Sequence, residues 1–188
     1  LWNPDSPDMH TVLFRMQVEG RNTEFVAYRT GLREVSMDGI PGGEQEDGTL
    51  YVNREKVGRL TAAEYRPRSS EKETESDLRR MKESGTSMVW VPYHPQPDWF
   101  YSLCDRIGIY VCNSADINTR NGGAARTKGG NPSNDPKWAD AYVDRALTMY
   151  QTSKNHPSVL MFSLAGPGSS NGYNLYESYL ALIRVDSR

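Results

Sequence analysis

From Arg59 to Arg188 the chain alternates short apolar runs with longer segments of helical periodicity, and this rhythm restricts the fold more than any other feature. Arg59 to Tyr65 reads as a weak strand. Ser70 to Glu83 follows as a helix, with Ser70 and Glu73 placed as a capping box and Leu78 and Met81 at helical spacing. Ser87 to Val91 is a buried strand, and Asp98 to Arg106 a helix with Trp99, Leu103 and Arg106 in register. Ile107 to Cys112 is a third strand, and a polar, glycine-rich loop runs from Asn118 to Asn134. Asp135 to Lys154 reads as a helix, with Pro136 in its first turn and Trp138, Tyr142, Ala146 and Met149 as its apolar stripe. Ser158 to Leu164 is a fourth strand and Leu175 to Arg184 a last helix. Strands separated by helices pair in parallel, because a helical crossover returns the chain to the same end of the sheet.

Four such units make half of an eight-stranded barrel. The expected fold class is α/β, a partial (β/α)8 TIM barrel holding the first four βα units. Half a barrel leaves two open strand edges and an uncovered core face. The remainder of a longer parent chain, or a homo-oligomer, is therefore expected to cover them. An open doubly wound sheet is the competing fold. It requires a Gly-rich phosphate loop after the first strand, where this chain has Ala62-Ala63-Glu64-Tyr65-Arg66-Pro67.

The residues ahead of the barrel units follow another pattern. Thr11–Val18 and Glu24–Arg29 are β-rich and partly alternating, with Glu19 to Asn22 as the turn between them. Leu1 to Pro7 is an irregular lead-in, Asp38 to Gly48 is loop by its glycines and acids, and a short hairpin covers Thr49 to Val57. The chain starts without Met or a signal-like segment and stops after Arg188, so both ends are read as cut from a longer protein. The net charge of −2 comes from 22 basic and 24 acidic residues scattered along the sequence. That leaves no stripe for nucleic acid and no polybasic membrane patch, and no apolar run reaches bilayer length. Cys104 and Cys112 read as buried free thiols. Two cysteines without a neighbouring Cys/His cluster do not build a zinc site, so neither metal nor cofactor is expected.

Several segments, in this order, resemble glycoside hydrolase family 2, the β-galactosidase and β-glucuronidase family. Leu1-Trp2-Asn3-Pro4-Asp5-Ser6-Pro7 is similar to the family's "LWSPENP", which opens the last strands of its immunoglobulin-like domain. Thr30-Gly31-Leu32-Arg33-Glu34-Val35 is similar to "xGFRxV", and Leu50-Tyr51-Val52-Asn53 to the "LxxNG" lead-in to the barrel. Phe100 to Val111 resembles "FYELCDEYGLYV", and Asn155-His156-Pro157-Ser158-Val159 with Phe162-Ser163-Leu164 resembles "NHPSIIxWSLG". The likeness spans Leu1 to Arg188. It implies three segments: residues 1–37 as the end of an immunoglobulin-like β-sandwich, 38–57 as linker and hairpin, and 58–188 as the first half of the barrel. The resemblance also implies a periplasmic or secreted, polysaccharide-utilising setting.

The family implies a retaining mechanism on the C-terminal rim of the strands, in which one carboxylic acid protonates the leaving oxygen and a second carboxylate attacks the anomeric carbon. The acid/base Glu ends strand four in "SLGNE", where this chain reads Ser163-Leu164-Ala165-Gly166-Pro167. Pro167 thus stands at the acid/base position and has no proton to give, and Gly166 replaces the neighbouring Asn. The nucleophile belongs to a later strand. The other rims differ too: Ala62–Tyr65 replaces an Asn-x-His-Glu type cluster, Trp90–Pro95 replaces "RxSHYP", and Asn113–Arg120 replaces "DEANIETHG". No catalytic residue is therefore expected here, and the chain alone is not expected to hydrolyse a sugar.

For a carbohydrate ligand, the candidate binding residues are Tyr93, Asn113, Asp116 and Asn118. Tyr65 is a further rim aromatic, and Trp90 is divided between rim and core. Asp116 and Glu64 are the carboxylates placed to replace the lost acid, although loop hydrogen bonding accounts for both. Glu177 reads as solvated surface, His94 and His156 as structural, and His10 has no chemical company. The Gly166–Gly172 loop lacks the Lys or helix-opening pattern of a phosphate cradle. Three functions remain open: a carbohydrate-binding or scaffold piece, part of an active retaining glycosidase whose nucleophile lies outside this segment, and a purely structural half-barrel.

Overall fold

A computed structural model describes residues 1–38, 48–122 and 130–186. The first hairpin pairs β1 (His10–Val18) with β2 (Arg21–Thr30) around Glu19-Gly20, two residues at positive φ of 48° and 76°. Two successive positive φ values give the turn whose twist matches that of the strands. β3 (Val35–Asp38) pairs with β4 (Thr49–Val52), and β4 turns through Asn53-Arg54 into β5 (Glu55–Lys56). The sequence reading placed Asp38 in a loop; it is the last residue of β3. The rest of that loop reading, apart from Gly48, falls outside the described residues.

The main body is a four-stranded sheet in the order β6 (Ala62–Glu64), β7 (Met88–Val91), β8 (Tyr110–Ser114) and β9 (Val159–Ser163), every pair parallel. Between and after the strands lie α1 (Glu71–Glu83), α2 (Asp98–Ile107), α3 (Ala139–Ser153) and α4 (Tyr173–Val185). This is the expected run of four βα units. Ser70 caps α1 by accepting from the Glu73 amide, as the capping box implies.

Several boundaries move by a residue or more, and two do so for a clear local reason. Ile107 closes α2 instead of opening a strand, because Gly108 takes a left-handed C-cap at φ 73°. A Cβ on Gly108 would also stand 2.2 Å from the Pro4 carbonyl oxygen. Pro136–Trp138 form a 3-10 turn capped by Asp135, and α3 starts only at Ala139. Trp138 is 45% exposed and leaves the expected stripe, while Tyr142, Ala146 and Met149 are buried as expected.

Side chains alternate across the sheet. Val89, Val91, Val111 and Val159 face the helices and pack with Leu78, Phe100, Leu103, Cys104 and Ile109. Met88, Tyr110 and Leu160 face the other way and meet Trp2 and Val52. Trp2 is fully buried, donates its indole N–H to the Asp105 carbonyl at 2.9 Å, and sets its ring edge-on to Tyr110. The N-terminal lead-in thus plugs the end of the sheet opposite the rim. Both cysteines are free; Cys104 is buried and Cys112 half-buried. No helix among the described residues is long and apolar enough to cross a membrane.

Candidate functional site

The C-terminal ends of β6 to β9 and the loops that leave them form the rim. Two of these loops are laced together by backbone and hydroxyl groups. The Gly166 amide donates to the Ile117 carbonyl at 2.8 Å, and the Ser170 amide to Thr119 Oγ1 at 2.9 Å. The Thr119 amide donates to Ser169 Oγ, and Ser133 Oγ donates to the Ser170 carbonyl while lying 3.1 Å from the Tyr142 hydroxyl. Burial raises the Tyr142 pKa, against the opposing hydrogen bond from Ser133. Each of these groups finds a partner inside the protein, so the loop carrying Pro167 is held in place.

Gly166 is buried against Tyr93: a Cβ at this position would stand 2.5 Å from Tyr93 Cδ1. The Tyr93 ring therefore fills the space into which an Asn at 166 would project. Tyr93 itself has φ 77°, an uncommon conformation for an aromatic residue that costs on the order of 1–3 kcal/mol elsewhere in proteins. The Arg66 guanidinium lies 5.1 Å from the Tyr93 ring centroid and also pairs with Glu64 at 3.3 Å. On the other side of Pro167, Arg120 lies over Gly168, whose added Cβ would meet Arg120 Nε at 2.9 Å. Contact thus runs without a gap from Glu64 and Arg66 through Tyr93 and the Gly166–Gly168 segment to Arg120.

Asp116 and Asn118 are exposed and line a pocket of about 280 Å³ together with Thr119, Pro132, Trp138, Tyr142 and Arg145. Asn118 Oδ1 accepts from the Arg120 amide. Asn113 is in another place. It is fully buried on the helix side of β8, where its Nδ2 donates to Ser153 Oγ at 3.0 Å. The structure thus brings Asp116 and Asn118 into one pocket, places Tyr93 apart from it against Gly166, and buries Asn113 in the sheet.

Tyr65 turns toward the helix layer, where it stacks on Phe100 and donates to Asp77 at 3.3 Å. Trp90 is half-buried, and its indole N–H donates to Ser114 Oγ at 2.8 Å. His94 is exposed with Nδ1 beside Pro95 O and Gln96 Nε2. Among the described residues no group of three His, Cys, Asp or Glu side chains could hold a metal ion. Glu177 is half-buried and accepts from the Tyr173 hydroxyl. Arg66, Arg120, Arg145 and the Ser/Thr lacing were not singled out from the sequence. Arg120 falls in the rim segment Asn113–Arg120 and Arg66 just after the first strand, but nothing in the sequence marked either side chain, or that of Arg145, for a role.

Residues 49–187 match the model of the glycosyl hydrolases family 2 TIM barrel domain. The chain belongs to glycoside hydrolase family 2. Over 184 residues it is 32% identical to a β-galactosidase of Photobacterium profundum, an alignment covering 90% of this chain and 16% of that protein. A β-galactosidase of Vibrio vulnificus is 31% identical, with 92% and 16% covered. The chain therefore spans about one-sixth of the length of these family members. Among solved structures, the exo-chitosanase of Amycolatopsis orientalis superposes with a TM-score of 0.74 at 17% identity, covering 98% of this chain and 22% of that one. A β-glucuronidase of Parabacteroides merdae gives 0.71 at 17% identity, with 100% and 23% covered. These structures speak for the fold, which accords with the four parallel βα units.

Proposed function

We propose that this family 2 segment is non-catalytic and serves as a carbohydrate-binding or scaffold piece of a glycosidase-like barrel. The observation that carries the reading is Gly166-Pro167 at the end of β9, where the family motif sets Asn-Glu. Proline cannot protonate a leaving oxygen, and a retaining mechanism needs an acid there as well as the nucleophile. The rim carboxylates offer no substitute in place: Glu64 is exposed and paired with Arg66, and Asp116 is exposed at the pocket it lines with Asn118 and Arg145. A general acid is usually set in an apolar enclosure, and neither side chain has one.

The scaffold, in contrast, is kept: the β8 and β9 loops remain laced although the acid is gone. Tyr93, Asp116 and Asn118 supply an aromatic face and hydrogen-bonding groups, the combination that holds a pyranose ring. Residues 1–37 fit the closing strands of an immunoglobulin-like domain, since the β1–β2 ribbon is exposed over nearly all of its residues, as a piece of a larger sandwich would be.

The alternative is an active parent whose nucleophile lies outside this segment; the 32% identity to a β-galactosidase favours it. Aryl glycosides with excellent leaving groups separate the two, because such substrates bypass the acid. The chain, and a longer protein containing it, would be incubated with these substrates with and without azide. No phenol burst and no azide effect support the non-catalytic reading. A burst with azide-restored turnover would overturn it.

A further inference from the structure

The residues that the sequence offers for a sugar separate in space. Tyr93 lies against Gly166 with the Arg66 guanidinium over its ring, so its ring is already engaged. Asp116 and Asn118 instead share the pocket of about 280 Å³ between the loop that leaves β8 and the start of α3, where the aromatic side chains are Trp138 and Tyr142. Tyr142 is buried with its hydroxyl 3.1 Å from Ser133 Oγ, whereas Trp138 is 45% exposed. A large aromatic face on the wall of a pocket is therefore left unused by the fold.

Trp138 is exposed on a backbone that is pinned. It ends the 3-10 turn capped by Asp135, and its amide donates to the Asp135 carbonyl at 3.0 Å. That carbonyl and the Pro132 carbonyl both accept from Nδ2 of Asn174, which is fully buried in the first turn of α4. An aromatic side chain on ordered backbone loses little freedom when a ligand settles on it. Among the described residues the Trp138 indole N–H has no acceptor, while those of Trp2 and Trp90 each have one.

Polar groups flank this face. Asn118 is oriented through Oδ1, which accepts from the Arg120 amide, and its Nδ2 has no acceptor among the described residues. Asp116 and Arg145 line the pocket without forming an ion pair among the described residues, and Arg145 Nη1 donates to the Ala141 carbonyl at 3.3 Å. A carboxylate accepts from hydroxyl groups, and an amide and a guanidinium donate to them. The two charges are opposite, so the lining favours a neutral polyol over an ion. Its volume stands at the lower end for small-molecule sites, which suits one sugar ring better than a chain of them.

We propose that this pocket is a monosaccharide site beside α3, separate from the strand-end corner at Pro167, in which a neutral pyranose ring stacks on Trp138 and its hydroxyls bond Asp116, Asn118 and Arg145. The proposal rests on the carbohydrate-binding reading above and moves the sugar away from the corner to which the family motifs point.

The test is a titration of the chain with galactose, glucose and mannose, followed by calorimetry and by the indole N–H signals in NMR spectra, with the Trp138 signal assigned by its loss in Trp138→Phe. At least one of the sugars should bind and move the Trp138 signal to saturation. Trp138→Ala should weaken that sugar by roughly tenfold, the loss of one good aromatic contact. Trp138→Phe should retain part of the affinity. Asp116→Ala, a change on an exposed loop that leaves the fold intact, should weaken the same sugar by roughly threefold to tenfold through the lost hydrogen bonds. Binding that Trp138→Ala and Asp116→Ala both leave within about twofold would overturn the proposal. If Tyr93→Ala then abolishes that binding, the sugar lies at the Pro167 corner and the carbohydrate reading stands without this site. Failure of all three sugars to bind the unsubstituted chain would remove the carbohydrate reading and this proposal together.

Discussion

Replacing His156 with Gln should destabilise the fold by an amount that shrinks as the pH rises. His156 is 6% exposed just ahead of β9, with Nδ1 2.7 Å from Asp105 Oδ2 and Nε2 3.2 Å from Asp98 Oδ1. Both ring nitrogens face carboxylates, and a neutral imidazole has only one N–H to offer, so the geometry suits the imidazolium. Burial alone would lower the His156 pKa, but hydrogen bonds and charge from Asp105 and Asp98 outweigh it, and the net shift is upward from 6.5. Tyr101, whose ring centroid is 5.1 Å away, stays neutral because burial pushes its hydroxyl up to about 12. Tyr28 of β2 also feels Asp105 and Asp98, and burial raises its pKa first.

A raised folded-state pKa means the contribution is fully present below the unfolded value and is lost as pH climbs through the folded value. Asp105 is 2% exposed and also accepts the Ser158 amide, whereas the Asp98 side chain is 81% exposed, where solvent screens it. The loss on removing His156 therefore comes from Asp105. Uncovering one partner of a buried pair costs about 3–5 kcal/mol, and the retained Ser158 bond points to about 3. For a chain of this size that is a fall in Tm of roughly 6–12 °C at pH 6. Thermal melts of both proteins from pH 6 to 9, with the His156 titration followed by NMR, would check it. A His156 titration at or below the ordinary imidazole value would refute the reasoning, as would a Tm gap that is constant across that range.

Gly108→Ala should cost about 2 kcal/mol or more in urea unfolding, since it adds a Cβ at positive φ and against the Pro4 carbonyl 2.2 Å away. Gly166→Asn should destabilise the chain because its Cβ meets Tyr93 Cδ1 at 2.5 Å, and Tyr93→Ala in the same chain should recover part of the loss. If the double variant is no more stable than Gly166→Asn alone, Tyr93 does not occupy that space. Neither thiol should react readily with a disulfide reagent at pH 8 until the protein unfolds: burial pushes Cys104 well above its ordinary value and Cys112 up to about 11. Stoichiometric labelling of the folded chain would contradict this.

How far the sequence carried the site varied by residue. Pro167 is informative from the motif alone, because proline has no ionisable group in any environment. Asp116 and Asn118 stay on the rim because they follow β8, where a loop leaves the sheet. Asn113 shares the parity of Val111, which faces the helices, and its hydrogen bond to Ser153 of α3 holds it on that side rather than at the rim. Tyr65 was placed at the rim by its position after β6, but stacking on Phe100 draws it to the helix side.

The sequence by itself determined the parallel βα order, because hydrophobic period and helix caps are local and survive without knowledge of neighbours. It also pointed to the family, through short motifs read in order. Tertiary structure alone decided that Trp2 closes the sheet from more than a hundred residues before Asp105, that His156 is clamped between two aspartates of α2, and that Arg120 lies over Gly168. Contacts of that kind join residues distant along the chain, and their geometry depends on how strands and loops pack in three dimensions, which no local pattern encodes.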